Sequence, residues 1–224
     1  MTAALSEDYV YFLDKFGEPD ETVPAPDGFR SEFENHLPAD FLDFIDAKGL
    51  GMWLGGFFQF CDPRRYAPIV EKVFASDEDF PASATHMLGF SAFGTALLWN
   101  ETHRAIDLDF LNGVVTATSY FTKPLNPENV TLGIAATSID LDSYDAFAAD
   151  GKTMFKRLAR QHGRLPLGQI YAPKLHPAMG GALDPANFRP VSALEAMALM
   201  ADAVGRFRLI DARAFPPKDV RPIG

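Results

Sequence analysis

The sequence predicts an α+β protein, with an antiparallel β-meander and packed helices in the N-terminal half and a mainly helical C-terminal half. Three observations carry that expectation. Aromatic and β-branched runs between residues 52 and 120 are punctuated by Gly and polar turn groups, as in consecutive strands. A Pro-led segment with apolar residues at helical spacing lies among them. Beyond Lys123 the apolar residues recur mostly at intervals of three and four. The expected domains are 1–124 and 125–224. Lys123-Pro124-Leu125-Asn126-Pro127 divides them, because closely spaced prolines disfavour regular structure.

The elements follow in order. Met52, Trp53, Leu54, Phe57, Phe58 and Phe60 suit a pleated, half-buried surface, and Gly55-Gly56 in their midst predicts one bent strand. Asp62 then offers an oxygen to the free N–H groups of a helix, and Pro63 occupies its first turn, where a missing N–H costs nothing. Tyr66, Ile69, Val70, Val73 and Phe74 form the buried stripe of that helix. Ser76 to Asp79 ends it in a solvated acidic turn. His86 to Phe93, Thr95 to Asn100, Arg104 to Phe110 and Val114 to Tyr120 read as four strands, with turns at Gly94 and Asn100-Glu101-Thr102. In the second half, Leu141, Tyr144 and Phe147 predict a short helix over Ser138 to Phe147. Phe155, Leu158 and Ala159 predict another that stops at Gly163. Gly168 to Ala172 reads as a short strand. Ser192-Ala-Leu-Glu195 is a capping box, worth about 1 kcal/mol, opening a helix that Gly205 ends. The Pro-rich basic tail from Ala214 is expected to be extended.

The segment GLGMWLGGFFQFCDPRRY, from Gly49 to Tyr66, and SAFGTALLW, from Ser91 to Trp99, resemble the GAD-like domain of type VI secretion immunity proteins. The family's N-terminal pattern has counterparts here: a helix ending in Phe16-Gly17, an extended Val23-Pro24, and a helix led by Leu37-Pro38. The last hundred residues resemble, more weakly, the immunity domain that accompanies it in inhibitors of a secreted DNase. The resemblance implies a protein that binds a toxin of its own cell and blocks it.

Composition agrees with a folded chain of this kind. At 224 residues, 47% hydrophobic and 22% charged, the sequence can build a sizeable core. It contains no run near the roughly 18 apolar residues of a membrane span, and its start is acidic, so a cytoplasmic protein with no membrane contact is expected. The single cysteine, Cys61, agrees with a reducing compartment and reads as a small buried hydrophobe. The net charge of −10 is unevenly spread: residues 1–122 carry 20 acids and 7 bases, residues 123–224 carry 10 and 13. So acidic a first half repels phosphate backbones and attracts a basic partner, the surface a DNA-gripping toxin presents. Direct nucleic-acid binding is not expected. The acids Asp77, Glu78 and Asp79, and Asp140, Asp142 and Asp145, are the candidate contacts for toxin bases.

No catalytic, metal-binding or cofactor-binding residue is assigned. Ala146 to Thr153, AFAADGKT, fits a loose phosphate-loop pattern, but the acidic SIDLDSYD before it would repel a nucleotide. Ser91 in GFSAFG lacks the second glycine of a nucleophile elbow and reads as a turn or packing residue. His36, His86, His103, His162 and His176 are scattered, and none lies four residues from another. His103 and Asp107 share a face of the expected strand about 13 Å apart, too far to act together. Asp107 with Asp109, and Asp140 with Asp142, read as solvated alternation. Trp53 and Trp99 are expected in the core. Two rival readings stay open: a regulatory or scaffold module that binds an endogenous protein, and, resting on Lys152 and Thr153, a nucleotide enzyme.

Overall fold

A computed structural model describes residues 4–122 and 131–224. The helices are α1 (Glu7–Phe16), α2 (Phe29–Phe33), α3 (Ala39–Lys48), α4 (Pro63–Phe74), α5 (Thr118–Phe121), α6 (Leu132–Thr137), α7 (Leu141–Tyr144), α8 (Phe155–His162) and α9 (Ala193–Val204). The strands are β1 (Glu21–Val23), β2 (Leu50–Trp53), β3 (Phe58–Phe60), β4 (Thr85–Ser91), β5 (Thr95–Asn100), β6 (Arg104–Asp109), β7 (Val114–Thr116), β8 (Gln169–Pro173), β9 (Phe188–Ser192), β10 (Arg208–Asp211) and β11 (Lys218–Pro222). A nine-stranded sheet runs in the order β1-β2-β3-β4-β5-β6-β7-β10-β11, and β8 and β9 form a separate hairpin. Every pair in the large sheet is antiparallel except β7 with β10, whose strands run parallel.

The sheet is covered on both faces. Along β5 the side chains alternate, Leu97 and Trp99 entering one core and Ala96 and Leu98 the other. Burial on both faces is why TALLW reads as an unbroken apolar run rather than as apolar and polar in alternation. One core gathers Tyr9 and Phe12 of α1, Phe41 and Phe44 of α3, and Phe155 and Leu158 of α8. Several of its aromatic rings meet edge-on, Phe12 on Trp53 at 5.5 Å and Trp53 on Phe60 at 5.3 Å among them, an arrangement ring quadrupoles favour. The other core holds Tyr66, Ile69, Val70 and Val73 of α4 against Met197, Met200 and Ala201 of α9. Both tryptophans are buried, as expected.

The helix after Asp62 forms as the sequence requires: Asp62 Oδ1 accepts from the N–H of Arg64, and Pro63 sits in the first turn. The helices ending at Gly17, Gly163 and Gly205 also form.

Several expectations are corrected. The C-terminal half is not mainly helical: it contributes β8 to β11, and β10 and β11 extend the large sheet. β10 and β11 escape periodicity because they are four and five residues of mixed character, and β11 is an edge, where Lys218, Asp219 and Pro222 are tolerated. The bent strand over Met52 to Phe60 is two antiparallel strands joined by a turn in which Leu54, Gly55 and Gly56 all take positive φ. The strand from Val114 stops at Thr116 and turns into α5. The helix over Ser138 to Phe147 shrinks to α7, and Phe147 instead bridges to Thr153. Ser192 makes no capping hydrogen bond, because it is the last residue of β9, paired with Gln169. The expected boundary at Lys123 to Pro127 lies outside the described residues. Among the described residues no helix is long and apolar enough to cross a membrane.

Candidate functional site

The six acids singled out from sequence have unlike fates. Asp77 is not in a solvated turn: its side chain is only 2% exposed and pairs with Arg221 at 2.6 Å. It also accepts from the N–H groups of Asp79 and Phe80. Burial opposes its charge, but Arg221 and these backbone donors outweigh that and hold its carboxyl below the usual range. Asp79 reaches the same guanidinium at 2.7 Å and accepts from the Tyr120 hydroxyl. Asp145 is buried and accepts from the N–H groups of Met154 and Phe155, at the start of α8. Asp140 pairs with Lys15 at 3.4 Å. Glu78 and Asp142 are exposed.

The other sequence candidates also find places. No strand precedes the AFAADGKT loop, since α7 does, and the Asp145 carboxylate takes the N–H groups at the start of α8 that a phosphate would need. Ser91 is buried in the β4–β5 turn, where its Oγ accepts from the N–H groups of Phe93 and Thr95. Burial, reinforced by Asp62, pushes the Cys61 thiol well up, so it stays protonated. His103 packs against Phe80 and Tyr120, and His176 is buried with Nε2 3.1 Å from the carbonyl of Phe110.

Two of the scattered histidines meet. His36, in the segment between α2 and α3, lies with Nδ1 2.7 Å from Glu101 Oε1. His86 Nε2, on β4, lies 3.0 Å from the same oxygen. The three ligand-type atoms all fall within 4.8 Å of one another. Burial opposes the Glu101 charge, but the hydrogen bonds from His86 and His36 outweigh it and hold the carboxyl below its ordinary value. A cleft of about 500 Å³ opens beside them, lined also by Glu34, Asp40, Trp99 and Arg104.

Local structure fixes this corner. His86 pairs with Trp99 across the hairpin, so Glu101, two residues on, lies diagonally on the same face. The N–H of Glu101 donates to Ala84 O, and the buried Asn100 Oδ1 accepts from the N–H groups of Thr102 and His103. Arg104 closes the turn at φ 65, a conformation uncommon outside glycine, with its guanidinium over Trp99. The grouping escapes sequence inspection because His36 is 65 residues from Glu101. The one sequence signal was the hairpin register, which alone places His86 beside Glu101.

A second cleft, of about 220 Å³, is lined by Thr95, Asp107, Asp109, Thr116 and Tyr144. The Tyr144 hydroxyl donates to Asp107 Oδ1 at 2.5 Å. Burial pushes Asp107 up to about 6, against the hydrogen bond from Tyr144 and with help from Asp109. Tyr144 is thus the hydrogen-bond partner of the Asp107 side chain.

Residues 7–112 match the GAD-like domain family. The crystal structure of Atu4351 from Agrobacterium tumefaciens matches with a TM-score of 0.91 at 42% sequence identity, over 97% of this chain and 97% of that one. No curated protein matches the chain.

Proposed function

We propose that this chain, which belongs to the same family as Atu4351 and carries a GAD-like domain over residues 7–112, is an immunity protein that binds and neutralises a cognate type VI secretion toxin, a DNase. The GAD-like domain over residues 7–112 supports the reading, because the segments Gly49 to Tyr66 and Ser91 to Trp99 within it resemble those of immunity proteins. The charge distribution supports it: a first half with 13 more acids than bases favours fast association with the basic surface a DNase needs to hold its substrate. The protein acts by stoichiometric binding in the cytoplasm, without a cofactor and without touching DNA.

Glu78 and Asp142, which are exposed, are the acids proposed to face the toxin, with Asp79 and Asp140 beside them. Asp77 and Asp145 act from inside, holding the Arg221 tail and the start of α8.

Co-expression with the toxin encoded beside it tests the reading. A stable complex on co-purification and protection of plasmid DNA from degradation are expected. Absence of both would overturn the immunity role and leave the scaffold reading in its place. If Glu78→Lys with Asp142→Lys leaves affinity and its salt dependence unchanged, the docking face lies elsewhere.

A further inference from the structure

We propose that His36, His86 and Glu101 form a binding site for a divalent transition-metal ion of the Zn²⁺ type, tying the segment between α2 and α3 to the β4–β5 hairpin. Two imidazoles and one carboxylate are a donor set that suits Zn²⁺ and its neighbours and does not suit Mg²⁺ or Ca²⁺.

The geometry is close to what such an ion needs. With metal–ligand distances of about 2.0–2.2 Å, donors around a tetrahedral centre stand roughly 3.4 Å apart. His36 Nδ1 and His86 Nε2 now share Glu101 Oε1 at 2.7 and 3.0 Å. An ion entering between them requires each contact to open by well under 1 Å, while the whole set already lies within 4.8 Å.

Two of the ligands are held before any ion arrives. Glu101 is anchored through its own N–H to Ala84 and through the turn that Asn100 caps. The His86 ring is packed edge-on against Phe33 at 5.8 Å. His36, the exposed member, is the ligand free to swing. Three protein donors leave a fourth position facing the 500 Å³ cleft, open to water or to a group from a partner. The ion would bridge residues 36, 86 and 101, which come from distant parts of the chain, so binding should stabilise the fold by mass action.

The test uses the full chain without a histidine tag, stripped with a chelator and titrated with Zn²⁺ by calorimetry, and with Co²⁺ by visible absorption. One ion per chain is expected, with a rise in Tm on Zn²⁺ addition and a tetrahedral Co²⁺ spectrum. His36→Ala and His86→Ala should each weaken binding by more than about 100-fold and abolish the Tm rise. His162→Ala, at an exposed histidine elsewhere, should leave both intact. Because His36 is exposed, His36→Ala remains decisive if His86→Ala fails to fold. Undiminished one-to-one binding in His36→Ala, or no saturable binding below about millimolar Zn²⁺, a range far weaker than structural zinc sites, would overturn the proposal.

Discussion

Asp107 shows how far a single carboxyl departs from its sequence reading. Alternation along β6 gives Asp107 and Asp109 as solvated neighbours, yet Asp107 lies beneath the α7 segment with Tyr144 donating to it. Its folded pKa of about 6 stands above the unfolded value of about 3.9. The folded state therefore binds this proton more tightly. Its contribution is fully present below about pH 4 and is lost as pH rises through 6. Asp107→Asn should flatten that dependence: relative to wild type, the variant's Tm should improve more at pH 7.5 than at pH 5. Tyr144→Phe removes the donor to the carboxylate and should move the midpoint above 6. Scanning calorimetry across pH reads the first effect and NMR titration of the carboxyl the second. Equal Tm differences at both pH values would refute the assignment.

At the scale of elements, β4 is the strand on which the sheet turns. Its register shifts between Met87 and Gly89 where it pairs with β5, and on the other side Gly89 faces Phe60. A Cβ at Gly89 would lie 2.6 Å from the backbone oxygen of Gln59 and 2.5 Å from the Phe58 ring. The ring can turn, but a ladder carbonyl cannot. Gly89→Ala should cost about 1–3 kcal/mol, measured by denaturant unfolding, as overpacking in a filled interior does. A loss under about 0.5 kcal/mol would mean β3 and β4 can separate more easily than their ladder implies. The apolar run at β4 and β5 was legible in the sequence because both faces are buried. β9, β10 and β11 were not, because short strands near an edge carry little pattern.

At the scale of the whole molecule, polar contacts join distant parts of the chain, those of Gln59 and Arg221 among them. Gln59 Nε2 donates to Gln169 O and its Oε1 accepts from the N–H of Gly168, fastening β3 to β8. Arg221, on the last strand, holds Asp77 and Asp79 beside α4. The depressed Asp77 pKa means that this pair's stabilisation is present above about pH 3.9 and is lost as pH falls through the folded value. Arg221→Gln strands a carboxylate that is almost wholly enclosed, and should cost about 3 kcal/mol at pH 7. It should also move the onset of acid unfolding to higher pH, followed by circular dichroism. An unchanged acid limb would show that the backbone N–H donors alone sustain the Asp77 charge.

Sequence alone determined what depends on neighbours along the chain: the Asp62-Pro63 helix start, the glycine stops at Gly17, Gly163 and Gly205, the buried aromatic strands, and the GAD-like motifs from Gly49 to Trp99. These are local because caps, turns and periodic burial are settled within a few residues. Tertiary structure decided the rest. It sent β10 back alongside β7, buried Asp77 and Asp145 that composition marked as surface charge, and gathered His36, His86 and Glu101 at one corner. The Asp145 contacts span only nine and ten residues, but the return of β10, the Asp77–Arg221 pair and the meeting of His36 with Glu101 depend on strand order and register across 50 residues or more, information that no local pattern of residue types contains.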